Sequence, residues 1–213
     1  MFNKVRNKLC RLVQEFFARI YYRKLRKKLK NHNFTILSSN CIGGILYHRF
    51  GEKFCSPTIN LWMHERDFQK FCLNVKYYRE CQLEFVYSEK KYPVANLGKG
   101  NMAIKIFFMH YKSQQEALDK WNERIKRIDE KNLYVIATDN EGMTEELLSK
   151  WKAMQCRNIV VFTAKKYQEL DYTFLLEKYQ GRTSVGKYVN DVNKWTGIRY
   201  VEKAFDFVNF FNT

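Results

Sequence analysis

The chain has 213 residues, enough for one mid-sized domain, and its 46% hydrophobic and 28% charged residues exclude a disordered chain and a bundle of membrane spans. Two Pro, nine Gly and six Cys without a CxxC pair exclude a linker-dominated chain, a zinc ribbon and a thioredoxin-type redox motif. The net charge of +16 is lopsided, because residues 1–33 carry eleven Lys and Arg against Glu15 alone, which leaves only +6 on the other 180 residues. An excess confined to one segment argues against nucleic acid as a partner, since that function wants basic residues interleaved with aromatics across the whole domain.

In that first segment Phe2, Val5, Leu9, Leu12, Val13, Phe16 and Ile20 recur at spacings of three and four, which predicts an amphipathic helix. A dense basic run from Arg23 to Lys30 follows the pair Tyr21-Tyr22. Charges interrupt the apolar stretches too often for a spanning helix, and no small-residue cleavage site follows. Two readings stay open for residues 1–31: a helix packed on protein, and an interfacial helix lying on an anionic membrane surface.

From residue 34 onward the expectation is a single α/β domain, 34–213. Phe34 to Ser38 reads as a buried strand, Ile42 to Phe50 as a helix, and Ser56-Pro57-Thr58 as a break. A helix follows over Arg66 to Arg79. Leu83–Tyr87, Tyr92–Ala95 and Met102–His110 then read as three strands on short loops. Ser113 and Glu116 form the pattern of a capping box that opens a helix running to about Ile128. Strands at Leu133–Thr138, Asn158–Thr163 and Asp171–Leu176 alternate with a helix at Glu145–Met154, and the stripe Val201, Ala204, Phe205, Val208, Phe211 predicts a closing helix. This alternation implies a three-layer fold around one mostly parallel mixed sheet with helices on both faces.

Ligands of open α/β sheets bind beyond the carboxyl ends of strands. Three such ends carry reactive groups: Asn40-Cys41-Ile42-Gly43-Gly44 with His48 nearby, His110, and Asp139-Asn140-Glu141. Cys41 precedes a Gly pair and a helix start, where a thiol is expected to have a lowered pKa and glycines let a substrate approach the backbone. With His110 or His48 as base and Asp139 orienting it, Cys41 fits covalent acyl transfer, and Asn40 could supply a donor to an oxyanion. Alternatively, Asp139 and Glu141 are an acid-x-acid pair suited to hold Mg²⁺ or Mn²⁺ against the diphosphate of a nucleotide-sugar. A structural Cys in a tight turn, an acidic helix cap and a satisfied imidazole are the plain readings of the same residues. Walker, dinucleotide-binding, zincin and serine-hydrolase motifs are absent from the sequence.

The combination Phe34-Thr-Ile-Leu-Ser-Ser-Asn-Cys-Ile-Gly-Gly, Tyr47-His48, Ser56-Pro-Thr-Ile-Asn60-Leu61, Tyr92-Pro-Val, His110-Tyr-Lys-Ser, Trp121 with Arg124, Thr138-Asp139, Gly142 with Thr144, Val161-Phe-Thr-Ala-Lys165 and Gly197 with Arg199-Tyr resembles a bacterial family of unknown function found among exopolysaccharide and capsule biosynthesis proteins. The resemblance covers about residues 34–212 and leaves the basic segment outside. Where the family has an acid two residues after the Asp, often Asp itself, this chain has Glu141. The resemblance implies a place in cell-surface glycan assembly and a compact α/β fold, without naming a reaction. Asn60, Lys165 and Arg199 fall in these motifs and join Asn40, Gly43 and Gly44 as candidate substrate contacts. The expectation is therefore a cytoplasmic transferase, peripheral on the inner face of the membrane. It would act on a glycan or activated sugar, with acyl-CoA or a metal-bound nucleotide-sugar as donor. A non-catalytic membrane-associated binding protein is the reading from another class.

Overall fold

The computed structural model describes residues 2–154 and 158–213, with the backbone alone for residues 2–9. Phe2, Val5 and Leu9 therefore contribute no side-chain facts, and Cys156 lies outside the described residues. Strand β1 (Thr35–Ser38), β6 (Leu133–Thr138), β7 (Ile159–Thr163) and β8 (Thr173–Leu175) form a parallel sheet in that order. Strand β2 (Trp62–Met63), β5 (Ile104–Phe107), β4 (Val94–Leu97) and β3 (Leu83–Val86) form a second, antiparallel sheet. The expected single mixed sheet is thus two four-stranded sheets. The reason is local: the segment after Pro57 contributes the two-residue strand β2, which pairs with β5 and gives the three middle strands a sheet of their own.

The two sheets meet at their edges. The Met63 amide of β2 donates to the Ser39 carbonyl just past β1, at 3.2 Å. An open strand edge exposes unpaired amides and carbonyls, and the outer edge of β1 is covered by side chains instead. The Tyr47 hydroxyl accepts from Ile36 N and donates to Phe34 O, both at 2.9 Å, and Thr58 Oγ1 accepts from Ser38 N at 3.1 Å. This gives Tyr47 and the Ser56-Pro57-Thr58 turn a structural duty, closing β1 and fixing the loop beyond it.

Side chains alternate across the parallel sheet, as period-2 geometry requires. Leu37, Val135, Ala137 and Val161 enter one core, with Phe68 and Phe71 of α3 (Glu65–Leu73), Trp121 of α5 (Gln114–Ile125) and Leu148 of α6 (Glu145–Ser149). Ile36, Tyr134, Ile136, Val160 and Phe162 enter the other core. There they meet Leu46 and Phe50 of α2 (Ile42–Phe50), Tyr22 of α1 (Phe2–Arg26), Val201 of α7 (Tyr200–Ala204) and Phe211 of α8 (Phe207–Phe211).

Several expected helices are shorter than their patterns. The helix over Arg66–Arg79 divides at Asn74 into α3 and α4 (Val75–Glu80), and the closing helix divides at Phe205–Asp206 into α7 and α8. The helix from Glu145 tightens after Ser149 into a 3₁₀ turn over Lys150–Ala153. At α5 the Ser113 hydroxyl accepts from the Glu116 amide, but the Glu116 carboxylate reaches the Lys112 amide rather than that of Ser113.

Helix α1 packs on the domain through one face. Ala18, Tyr22 and, just beyond its end, Leu29 are buried. Its polar ties are Tyr21 Oη to Glu202 O (3.0 Å), Arg26 Nε to Arg49 O (2.8 Å) and Gln14 Nε2 to Lys194 O (2.6 Å).

Candidate functional site

The seam between the two sheets gathers residues from three places. Strand β1 delivers Asn40 and Cys41, the end of β5 delivers His110, and the loop from Ser56 delivers Asn60. Cys41 Sγ lies 3.5 Å from His110 Nε2, within reach of a thiol hydrogen bond. The His110 amide donates to the Asn60 carbonyl at 3.4 Å, which ties the β5 end to the loop. Asn60 holds φ +62°, a left-handed conformation that Asn tolerates better than most residues. Behind this loop, the Tyr111 hydroxyl donates to Ile59 O at 2.9 Å and accepts from the buried Arg124 guanidinium at 2.8 Å. The matched motif residues Tyr111 and Arg124 thus hold Asn60 and His110 in place.

Cys41 is half-buried, and that burial pushes its thiol pKa up, with the nearby Arg199 guanidinium pulling the other way. The expected lowering by a helix start is outweighed by desolvation. Part of the helix start is also already spent: Ile42 N donates to Asn40 Oδ1 and Gly43 N to Ser38 Oγ, each at 3.1 Å. At rest the sulfur is therefore a thiol beside an exposed imidazole, an arrangement in which the ring takes the proton as the sulfur attacks.

The two glycines have distinct reasons. A Cβ on Gly43 would stand 2.6 Å from Ser38 Oγ, so Gly43 is fixed by packing rather than by a ligand. A Cβ on Gly44 would meet Ile59 at 3.2 Å and Asn60 Oδ1 at 3.7 Å, so this glycine lets the Asn60 loop close over α2. Arg199 is anchored by Val189 O (2.8 Å) and faces the buried Glu202 carboxylate at 3.6 Å.

Other expected members are not brought to the pair. His48 is exposed on α2, where its carbonyl accepts from Arg26 at 3.5 Å, so His110 is the base the geometry offers. Asp139 does not orient it. Its buried carboxylate accepts the amides of Ala164 (2.7 Å) and Val185 (2.8 Å), while Asn140 pairs with both backbone groups of Gly186. Burial raises the Asp139 pKa against those amides and the nearby Lys165, whose side chain is exposed. Glu141, at φ +58°, accepts from the Glu65 amide at 2.9 Å and pairs with His64 at 3.0 Å. The two acids expected to hold a cation thus serve different partners. Among the described residues no cluster of three or more His, Cys, Asp or Glu is arranged to hold a metal ion. One cleft, of about 430 Å³, opens at the other end of β6, lined by Leu133, Cys72 and Met154 among others, and neither Cys41 nor His110 lines it.

Sequence reasoning missed Glu65. Its buried carboxylate accepts from Ser39 Oγ (2.7 Å) and Thr138 Oγ1 (2.5 Å), bridging the ends of β1 and β6. Burial pushes its pKa up to about 7, despite those hydrogen bonds. Tyr188, also missed, is buried with its hydroxyl close to Asn40 and Cys41, and burial raises its pKa. Glu65 stands just outside the helix expected over Arg66–Arg79, and the Ser39 and Thr138 hydroxyls at two strand ends are the signal that could have found it.

The sequence model of one family, described as a domain of unknown function (DUF1919), matches residues 12–212. The match begins inside α1, earlier than the motif resemblance did. An uncharacterized protein of Haemophilus influenzae is 34% identical over 199 residues, covering 93% of this chain and 92% of the relative. The chain belongs to the DUF1919 family.

Proposed function

We propose that this DUF1919 chain is a transferase of bacterial surface-polysaccharide assembly that carries an acyl group on Cys41. The observation behind the reaction is the 3.5 Å approach of Cys41 Sγ to His110 Nε2 at the end of a parallel strand. The pathway rests on the motif resemblance over residues 34–212.

In the first half-reaction His110 takes the Cys41 proton as the sulfur attacks the carbonyl carbon of an acyl thioester such as acyl-CoA. The donor's C–S bond breaks, its thiolate leaves with the proton from His110, and a thioester remains on Cys41. In the second, His110 takes the proton of a sugar hydroxyl, whose oxygen attacks the Cys41 thioester; the new ester departs and the proton returns to sulfur. Arg199 and Asn60 stand close enough to meet polar groups of donor or acceptor. The competing glycosyl-transfer reading needs Asp139 and Glu141 free to share a cation. Their carboxylates are instead committed to Ala164, Val185, His64 and Glu65, so no step is routed through a metal.

The test is intact-protein mass spectrometry after incubation with acetyl-CoA and longer acyl-CoA thioesters. Wild type is expected to gain one acyl mass, mapped by peptide analysis to Cys41, and Cys41→Ser to gain none under the same brief exposure. Labelling that survives in Cys41→Ser, or no labelling of wild type by any thioester, would remove the covalent acyl-transfer reading.

A further inference from the structure

Helix α1 has two apolar faces, and the domain covers one of them. Ala18 and Tyr22 are buried against the body, whereas Leu12, Val13, Phe16, Phe17 and Ile20 stand on the opposite side of the helix and face solvent, Phe16 at 60% exposure. These five follow i, i+1, i+4, i+5, i+8 spacing, one continuous stripe by helical periodicity. A stripe of this kind on a soluble surface marks a partner.

The charge beside the stripe says which partner. Arg23, Lys24 and Lys27 are exposed within two turns of its C-terminal end, and the single acid of α1, Glu15, is paired with Arg11. A second copy of the chain seated on this stripe would bring two strongly basic segments together, which costs energy, whereas an anionic surface is complementary to it. A third feature lies on the flank. The loop after Asn193 is docked on α1 by Gln14 Nε2 to Lys194 O, and Gly197, at φ +65°, admits the helix so closely that a Cβ would stand 2.9 Å from Gln14 Cβ. That loop carries Trp195 at 77% exposure. Aromatic rings with one polar atom settle at the headgroup level of a bilayer.

We infer that the outer face of α1, with Trp195 at its flank, docks the protein on an anionic lipid bilayer. The helix lies in the interface plane, with Phe16 and Phe17 inserted and the 23–27 cluster on the headgroups. No helix among the described residues is long and apolar enough to cross a membrane, so this is attachment to one leaflet. One face of the helix packs on protein, through Ala18 and Tyr22, and the membrane reading is assigned to the other face.

The full chain should be tested by co-sedimentation with vesicles of phosphatidylcholine alone and of phosphatidylcholine mixed with phosphatidylglycerol, at low and high salt. Binding is expected to the mixed vesicles only, weakened by salt, with a blue shift of Trp195 emission that Trp195→Ser removes. Replacing Lys24 and Lys27 by Gln should weaken binding about fivefold per residue. Phe16→Ser with Phe17→Ser, at exposed sites that leave the melting temperature in place, should weaken it by more than about tenfold. Equal binding to neutral vesicles, unchanged binding by the double Phe variant, or no binding to either vesicle overturns the inference. So does a full-chain dimer in sedimentation velocity that the double Phe variant turns to monomer, because the stripe would then be a self-association face.

Discussion

Strands β1 and β6 lie side by side, and each ends in a loop full of reactive residue types, yet the two loops are built for opposite purposes. After β6, the carboxylate of Asp139 and the amide of Asn140 are consumed by backbone groups of residues 164, 185 and 186. After β1, the sulfur of Cys41 faces the His110 imidazole, which is itself open to solvent. The lesson is that residue type at a strand end nominates a site, and the fate of each polar atom decides it. Asp139 works as a clasp that holds two distant segments against the sheet. Cys41 keeps its sulfur beside a solvent-exposed imidazole.

The largest way to break this comparison is Asp139→Ala. If the carboxylate is a clasp, its removal orphans two buried amides at a cost of roughly 2 kcal/mol each, or about 4 kcal/mol of stability in denaturant unfolding. A loss below about 1 kcal/mol would mean that those oxygens are free for other chemistry, and the contrast between the loops would collapse.

Glu65 sharpens the comparison, because it joins the two strand ends through Ser39 and Thr138. Its pKa rises from 4.5 unfolded to about 7 folded. Between those values the unfolded chain releases a proton that the folded protein retains, so stability falls as pH rises from 4.5 to 7 and is level on either side. The drop is on the order of 3 kcal/mol at most. Chemical denaturation of wild type and Glu65→Gln across this range should show a slope that the variant largely loses. An equal slope in both would place the titration elsewhere.

Most strands and several helix starts were legible in the sequence, because short β-branched, apolar runs, the Ser113–Glu116 capping pattern and the Ser56-Pro57-Thr58 break are local signals. What was not legible is long-range. The strand Trp62–Met63 is two residues long and owes its existence to β5, so no periodicity announces it. The division of the closing helix at Phe205–Asp206 follows from an Asp206 side chain that caps Asn209, which interrupts a stripe that reads as continuous. For the site, Cys41 and His110 were each legible as residues at strand ends, and the choice between His110 and His48 as partner was left open, because it depends on a contact between residues 69 apart in sequence. His48, nearer in sequence, was the alternative partner, and the α2 register turns it outward. Asp139 was legible as important and misread as to why, since its partners are amides, which every residue except proline carries.

The most direct measurement is the rate of Cys41 alkylation by iodoacetamide against pH, followed by peptide mapping in wild type, His110→Asn and His48→Asn. If His110 receives the thiol proton, wild type should retain reactivity at neutral pH. His110→Asn should slow by about tenfold or more there and approach wild type only at alkaline pH, and His48→Asn should track wild type throughout. Identical profiles for wild type and His110→Asn would contradict the pairing and leave Cys41 as a half-buried structural thiol.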